Sequence, residues 1–251
     1  MKEVLICMPY FDSGKQGREL EMSLTGWKKF AKFPFKMAII GDHNPIMDKF
    51  DFVTWVPCPR IDNVEGQYRP HLDRVNKFLT AYKIFYEVEN YTDFIHICDD
   101  HYPVHDFDYE YLKKPYYLQL NFIGDINKPS NYWQHDLAKT AKLLRKYRYN
   151  TINFTTHFPQ YYEFEKYKYL VDKFKLQTNS YVIENLYYNY YKTMPDQQAD
   201  NIRLGVWNEK TSIKDLDTLL CNQNDKRKFI ACSTKGFNKT FETKLCKYLG
   251  I

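Results

Sequence analysis

Short apolar runs alternate with stretches of helical spacing over the first hundred residues, and that alternation confines the chain to a layered α/β architecture. Glu3–Met8 reads as a strand entering a Pro9-Tyr10 turn. Arg18–Lys32 mixes charged and apolar residues at helical spacing, and Phe35–Ile40 reads as a second strand ending in Gly41-Asp42. Strand, helix, strand implies a parallel pair, because two parallel neighbours need a crossover connection between them. Phe52–Val56 is a third, short strand candidate. Asp73–Glu89 reads as a helix with Val75, Phe78, Leu79, Tyr82 and Phe85 at its apolar positions, and it feeds the buried strand FIHIC at Phe94–Cys98.

Further along, Tyr116–Phe122 alternates like a strand, Asp136–Tyr147 is a basic amphipathic helix, and Phe164–Phe174 and Asn179–Tyr191 have helical patterns. Lys228–Ala231 reads as a short strand before a terminal helix, Lys239–Leu249. No internal repeat or linker divides the 251 residues, of which 44% are hydrophobic, enough for a substantial core. One domain over 1–251 is expected, its two halves being 1–105 and 106–251. The formal charge of +5 is spread along the chain, which permits an anionic substrate without demanding nucleic acid. Six widely separated cysteines form no CxxC pair, which fits a reduced cytosol. The apolar run before Tyr10 is too short for a signal peptide, and no segment reaches the length of a membrane span. GxxxxGK[ST], GxGxxG and GxSxG are all missing, which disfavours P-loop kinases, dinucleotide-binding folds and α/β-hydrolases.

The chemistry concentrates at Asp99, Asp100 and His101, directly after FIHIC. Open α/β sheets place ligands at the carboxyl ends of their strands. Two adjacent carboxylates and an imidazole repel or shift one another's pKa unless a cation lies between them, and an oxygen-rich group of this kind suits Mg²⁺ or Mn²⁺. The plain alternative is a strand-end turn in which the Asp side chains cap backbone amides.

The segment FIHICDDHYPVHDFDYEYL resembles the DXD-type stretch of GT-A glycosyltransferases, in which a hydrophobic strand delivers acids to a divalent metal on a nucleotide-sugar diphosphate, followed by a short β-region and a helix. Together with MPYF, IIGD, THFP and STKGF it is similar to small phage and bacterial glycosyltransferase-like proteins, distantly related to Stealth-type sugar-phosphate transferases. The strict DXD spacing is departed from, so the metal-binding pair is either Cys98-Asp99-Asp100 or Asp99-Asp100-His101. The resemblance implies a GT-A-like, Rossmann-type mixed sheet flanked by helices, with a helical C-terminal part. It implies direct metal coordination by Asp100, a second contact to metal or ribose from Asp99, and His101 as a further ligand. His157 would face the same cleft as a metal ligand or a contact to the transferred group, its alternative being a structural plug. Pro9, Tyr10 and Asp42 would hold base and ribose. Arg74, Asn76 and Lys77 open the helix before the acidic strand, where basic or amide groups meet the nucleotide, and Lys235 beside Gly236 suits a diphosphate leaving group.

The expected reaction is transfer of a sugar from a nucleotide-diphosphate-sugar, a UDP-sugar first among donors, to a hydroxyl acceptor with Mn²⁺ or Mg²⁺ as cofactor. A catalytic base would come from Asp125, Asp136 or Glu184. The acceptor is a glycan or a hydroxymethylated base in phage DNA; the second is favoured by Lys142, Arg145, Lys146, Arg148 and the many aromatic rings. Sugar-phosphate transfer of the Stealth type and a non-catalytic carbohydrate- or nucleotide-binding module are the competing readings. Tyr187, Tyr188, Tyr190 and Tyr191 are candidates for an acceptor groove, or for packing in a Tyr-rich chain.

Overall fold

The computed structural model describes residues 3–12, 18–61, 70–120, 129, 131–207, 213–233 and 235–251. Its first half runs β1 (Val4–Tyr10), α1 (Glu19–Phe30), β2 (Phe35–Gly41), β3 (Val53–Pro57), α2 (Pro70–Ala81), β4 (Asp93–His96) and β5 (His101–Pro103). The second half adds α3 (Tyr109–Lys113), α4 (Tyr132–Lys146), β6 (Gln160–Glu163), α5 (Phe164–Lys173), α6 (Ile183–Tyr190), β7 (Arg203–Val206), α7 (Ile213–Cys221), β8 (Phe229–Cys232) and α8 (Lys239–Leu249). The main sheet has the order β3-β2-β1-β4-β6. Its first four strands are parallel, and β6 closes it antiparallel to β4. A smaller sheet, β5-β8-β7, stands beside it. The fold is thus a mixed, mostly parallel sheet flanked by helices, the class expected from the sequence.

Each central strand is buried on both faces, so its side chains serve two cores in alternation. In β1, Val4, Ile6, Met8 and Tyr10 enter one hydrophobic cluster, while Leu5 and Cys7 enter the other. Trp27 of α1, fully buried, joins the two sheets: its ring meets Phe35 of β2 at 5.8 Å and Phe229 of β8 at 5.9 Å. Burial of one such large side chain contributes about 2–3 kcal/mol.

The strand order turns back at β1 and β4, where ligand crevices form in open α/β sheets. Tyr10 ends β1 there. Between β4 and β5 the chain leaves the main sheet for the small one, and the segment that makes this passage is Ile97–Asp100. Its position is fixed from both sides: the Ile97 amide donates to Cys7 O at 3.0 Å, and the Cys232 amide of β8 donates to Asp100 O at 3.1 Å.

Several expected elements take another form. The helix expected over Asp73–Glu89 starts earlier, at Pro70, and after Ala81 widens into a π-helical turn, Tyr82–Tyr86. Tyr116–Phe122 is no strand over its described residues. Isolated bridges, Tyr117 to Gln198 and Gln119 to Asn153, use its alternation, and residues 121–122 lie outside the described set. Thr151–Thr156, a run rich in β-forming residues, makes one backbone bridge, at Asn153, and is otherwise held by side chains. Asn185 Oδ1 accepts from the Phe154 amide at 2.6 Å, and Asn189 Oδ1 accepts from the Ile152 amide at 2.9 Å. The helix expected from Asn179 begins at Ile183, since Asn179 instead donates to the carbonyl of Phe174 at the end of α5. No described helix is long and apolar enough to cross a membrane.

Gly41 closes β2 at φ 140°, and a Cβ there would stand 1.9 Å from the carbonyl oxygen of Tyr10. Gly41→Ala is therefore expected to destabilise the fold by about 2 kcal/mol or more; a urea midpoint unchanged from that of the parent would show that the paired ends of β1 and β2 relax freely.

Candidate functional site

Asp99 and Asp100 sit where the chain passes between the sheets, with limited access to water. Burial, opposed by hydrogen bonds from nearby backbone amides, pushes Asp99 up to about 6. Burial and the neighbouring Asp99 charge push Asp100 up to about 7. Asp99 acts on Tyr10 and on Glu19, the first residue of α1; burial and the Asp99 charge raise Glu19 to about 7. Asp100 instead approaches His101, whose Nε2 lies 3.7 Å from Asp100 Oδ1. Neither of these two atoms has a hydrogen-bond partner among the described residues. A ligand atom each from Cys98, Asp100 and His101 lies within 4.8 Å of the others.

Two buried, unpartnered donor atoms facing each other are what a divalent cation would satisfy. Carboxylate and imidazole together suit Mn²⁺ at least as well as Mg²⁺. Burial keeps the Cys98 thiol well above its ordinary pKa, so its proton must leave before sulfur can bind a metal. The residues therefore fit a cation held by Asp100 and His101, with Asp99 adjacent. His101 is held in place by its backbone carbonyl, which accepts from Ser23 Oγ of α1 at 3.0 Å.

Cys98 and His101 also line a cleft with about 140 Å³ of free volume. His71 and Arg74 enter it from α2, His96 from β4, Glu184 from α6, and Thr156 and His157 from the loop before β6. Arg74 and Glu184 form an ion pair across it. Burial alone would raise the Glu184 pKa, but the Arg74 charge leads the effects that outweigh it and hold Glu184 at about 2. Desolvation, with Arg74 adding to it, drives His96 down to about 3 and lowers His71 as well. The buried imidazoles are thus neutral, each carrying one donor and one acceptor. Both nitrogens of His71, Nε2 of His96 and of His101, Oγ1 of Thr156 and Oε2 of Glu184 find no partner among the described residues. So many buried polar atoms without partners around one space mark it as built for a polar occupant.

His157 lies at the mouth in the left-handed region, φ 44°. Its imidazole packs edge-on against Trp207 at 5.1 Å, and the Arg203 guanidinium covers the same indole at 5.0 Å. Desolvation of the ring and the Arg203 charge lower the His157 pKa, an effect tempered by its exposure to solvent. The turn carrying Lys235 adjoins the same mouth. Ser233 Oγ donates to Trp207 O at 2.9 Å, Gly236 packs on the Val206 carbonyl, and Lys235 itself is exposed.

Other expected residues are placed differently. Pro9 and Tyr10 do end β1, and Tyr10 accepts a hydrogen bond from Asn44 at 3.2 Å. Asp42 Oδ2 accepts from the Asp12 amide at 2.9 Å, which makes it a turn cap. Lys77, fully buried, pairs with Asp73, whose other oxygen accepts from the Ile61 amide at 2.9 Å. Its ammonium is thus paired within α2, and Asp73 links that helix to Ile61 at the end of the preceding described segment. Asn76 donates to Cys58 Sγ at 3.3 Å, away from the cleft. Asp136 is buried against the Ser180 hydroxyl and lines a neighbouring recess with Lys139. Asp125 lies outside the described residues. Tyr187 and Tyr188 belong to the core, their hydroxyls bonded to the Glu163 amide and the Tyr161 carbonyl. Sequence reasoning missed Glu19, His71, His96, Trp133 and Arg203. Two signals were available: His96 is the one polar residue inside FIHIC, and His71 with Arg74 has the i,i+3 spacing of one helix face.

No family model and no curated protein matches this sequence. Among solved structures, the apo-form glycosyltransferase GlyE of Streptococcus pneumoniae TIGR4 is similar over 100% of this chain, at 9% sequence identity and a TM-score of 0.43. The chain spans 61% of that protein's length.

His96 titrates far below an unfolded histidine, so between pH 6.5 and about 3 the unfolded state binds the extra proton and acid removes stability. Asp99 and Asp100, raised in the fold, act in the opposite sense. His96→Asn should therefore lose less stability than the parent between pH 7.5 and 4.5, as read from urea midpoints; equal losses would mean that His96 is solvated or paired.

Proposed function

We propose that the chain is a glycosyltransferase that moves a sugar from a nucleotide-diphosphate-sugar to a hydroxyl acceptor with the help of a divalent cation. The observation that carries this reading is the adjacency of two features at the carboxyl end of β4. One is the unpartnered Asp100–His101 pair; the other is a recess rich in unpartnered polar atoms. A cation and the diphosphate it would carry belong at the first, and a hydroxyl-rich ring at the second. Asp100 and His101 are the proposed metal ligands, with Asp99 as a further ligand or a ribose contact, and Mn²⁺ or Mg²⁺ as the ion. When bound, the cation would act as a Lewis acid that neutralises charge on the departing diphosphate.

The chain's own residues supply the rest. Neutral His71 and His96 offer hydrogen bonds to sugar hydroxyls without an ionic preference. Arg74, fixed by Glu184, presents a planar donor set suited to a hydroxyl pair or a phosphate oxygen. Lys235 and His157 flank the mouth, where the leaving diphosphate or the acceptor passes. Glu184, held near 2, is too weak a base to take the acceptor's proton, so its part is to orient Arg74. A UDP-sugar remains the first donor to try.

Incubation with a panel of nucleotide-sugars and Mn²⁺ or Mg²⁺ should release a nucleoside diphosphate that EDTA suppresses. Asp100→Asn should lower the rate about 100-fold or more, about 2.7 kcal/mol of barrier. Release of a nucleoside monophosphate would indicate sugar-phosphate transfer instead, and glycan or nucleotide binding without turnover would indicate a binding module.

A further inference from the structure

The net charge of the chain is concentrated in one continuous stretch. Residues 142–175 hold eight Lys and Arg against three Asp and Glu, a net +5 that equals the formal charge of the whole chain. They span the end of α4, the loop to β6, and all of α5. The three acids are already engaged: Asp172 with Lys168 at 2.6 Å, Glu163 with Lys166 at 2.5 Å, and Glu165 with the Tyr86 hydroxyl. Lys142, Lys146, Arg148 and Lys175 are exposed, and with Lys173 they form no ion pair among the described residues.

Among these cations runs a connected row of tyrosine rings. Tyr147 meets Tyr149 at 6.3 Å, Tyr149 meets Tyr190 at 5.0 Å, and Tyr190 meets Tyr169 at 6.0 Å and Tyr191 at 5.0 Å. Lys146 lies over Tyr147 at 5.7 Å, and Lys173 lies over both Tyr190 and Tyr169, at 4.8 and 5.2 Å. Lys173 also donates to both of those hydroxyls, at 2.8 and 3.0 Å, which fixes the rings in place. Tyr147 and Tyr169 are about half exposed, at 48% and 49%.

We propose that this flank is a docking surface for single-stranded nucleic acid. Cations without carboxylate partners interleaved with fixed, partly exposed rings are the two elements of strand binding: ammonium and guanidinium groups follow the phosphates, and π-faces receive bases of any identity. A membrane surface fits less well. Between residues 142 and 191 the exposed large apolar side chains are the two tyrosines, whereas bilayer insertion relies on Trp, Phe or Leu. The surface stands apart from the cleft chemistry, but α6 connects them: Glu184 near its start faces the cleft and Tyr190 ends in the row, about 9 Å along the helix. A strand held here would lie beside the cleft, in the place of an acceptor.

Fluorescence anisotropy of labelled oligothymidine and oligouridine, titrated with the full chain at several salt concentrations, tests the surface. Binding should weaken with salt at a log–log slope of about −3, and Lys146→Glu with Lys173→Glu should reduce affinity at least about 10-fold while flattening the slope by about 1.4. Tyr147→Ala and Tyr169→Ala should each cost about 10-fold, with thermal melting unchanged because both rings are half exposed. The assignment is overturned by an absence of binding at low salt, by affinity indifferent to the charge reversals, by preference for duplex over single strands, or by retention on phosphatidylserine vesicles but not on oligonucleotides.

Discussion

The Arg74–Glu184 ion pair is the interaction on which the cleft depends. It ties α2, the helix that leads into the acidic strand, to α6 in the second half of the chain, and it does so at partial burial. Removing one partner of such a pair leaves the other charge buried alone, at a cost of about 3–5 kcal/mol. The pair also sets the electrostatics around it: Arg74 helps keep His71 and His96 neutral, and its charge keeps Glu184 ionised. Neutral histidines, a fixed guanidinium and an ionised carboxylate are a lining whose chemistry suits hydrogen bonding more than proton transfer.

Backbone topology brings the acids to that lining. A chain that continued β4 into a regular helical crossover would carry Asp99 and Asp100 into a loop over the sheet. Here it passes at once to β5, and the second half reaches back twice, through β6 pairing with β4 and β8 pairing with β5. The acids are consequently held between two sheets, where low access to water raises both pKa values and makes a cation's charge count for more.

Much of this was legible in the residues. The first two strands, the helix between them, the terminal helix and the acidic strand end follow from local periodicity, and Lys239–Leu249 agrees residue for residue. What failed was non-local. Thr151–Thr156 has strand composition, but Asn185 and Asn189, more than thirty residues later, supply the hydrogen bonds that a strand would have needed. Lys77 and Asp136 carry the right chemistry for a site, yet Asp73 and Ser180 claim them, and no local pattern announces those partners. The charge of residues 142–175 was visible as a count; that the tyrosines from three elements line up among it was not.

The distribution of the four tryptophans gives this protein an optical property. Trp27 is locked between the sheets in a dry environment, whereas Trp133 lines the cleft and Trp207 sits between His157 and Arg203 at its mouth. Light absorbed by these three indoles is therefore reported from two distinct places, one constant as long as the fold persists and one responsive to whatever enters the cleft, while the fourth, Trp55 on β3, is exposed beside His43. Occupancy alters the polarity and quenching around Trp133 and Trp207 while Trp27 supplies an internal reference, so the unmodified chain carries its own ratiometric sensor.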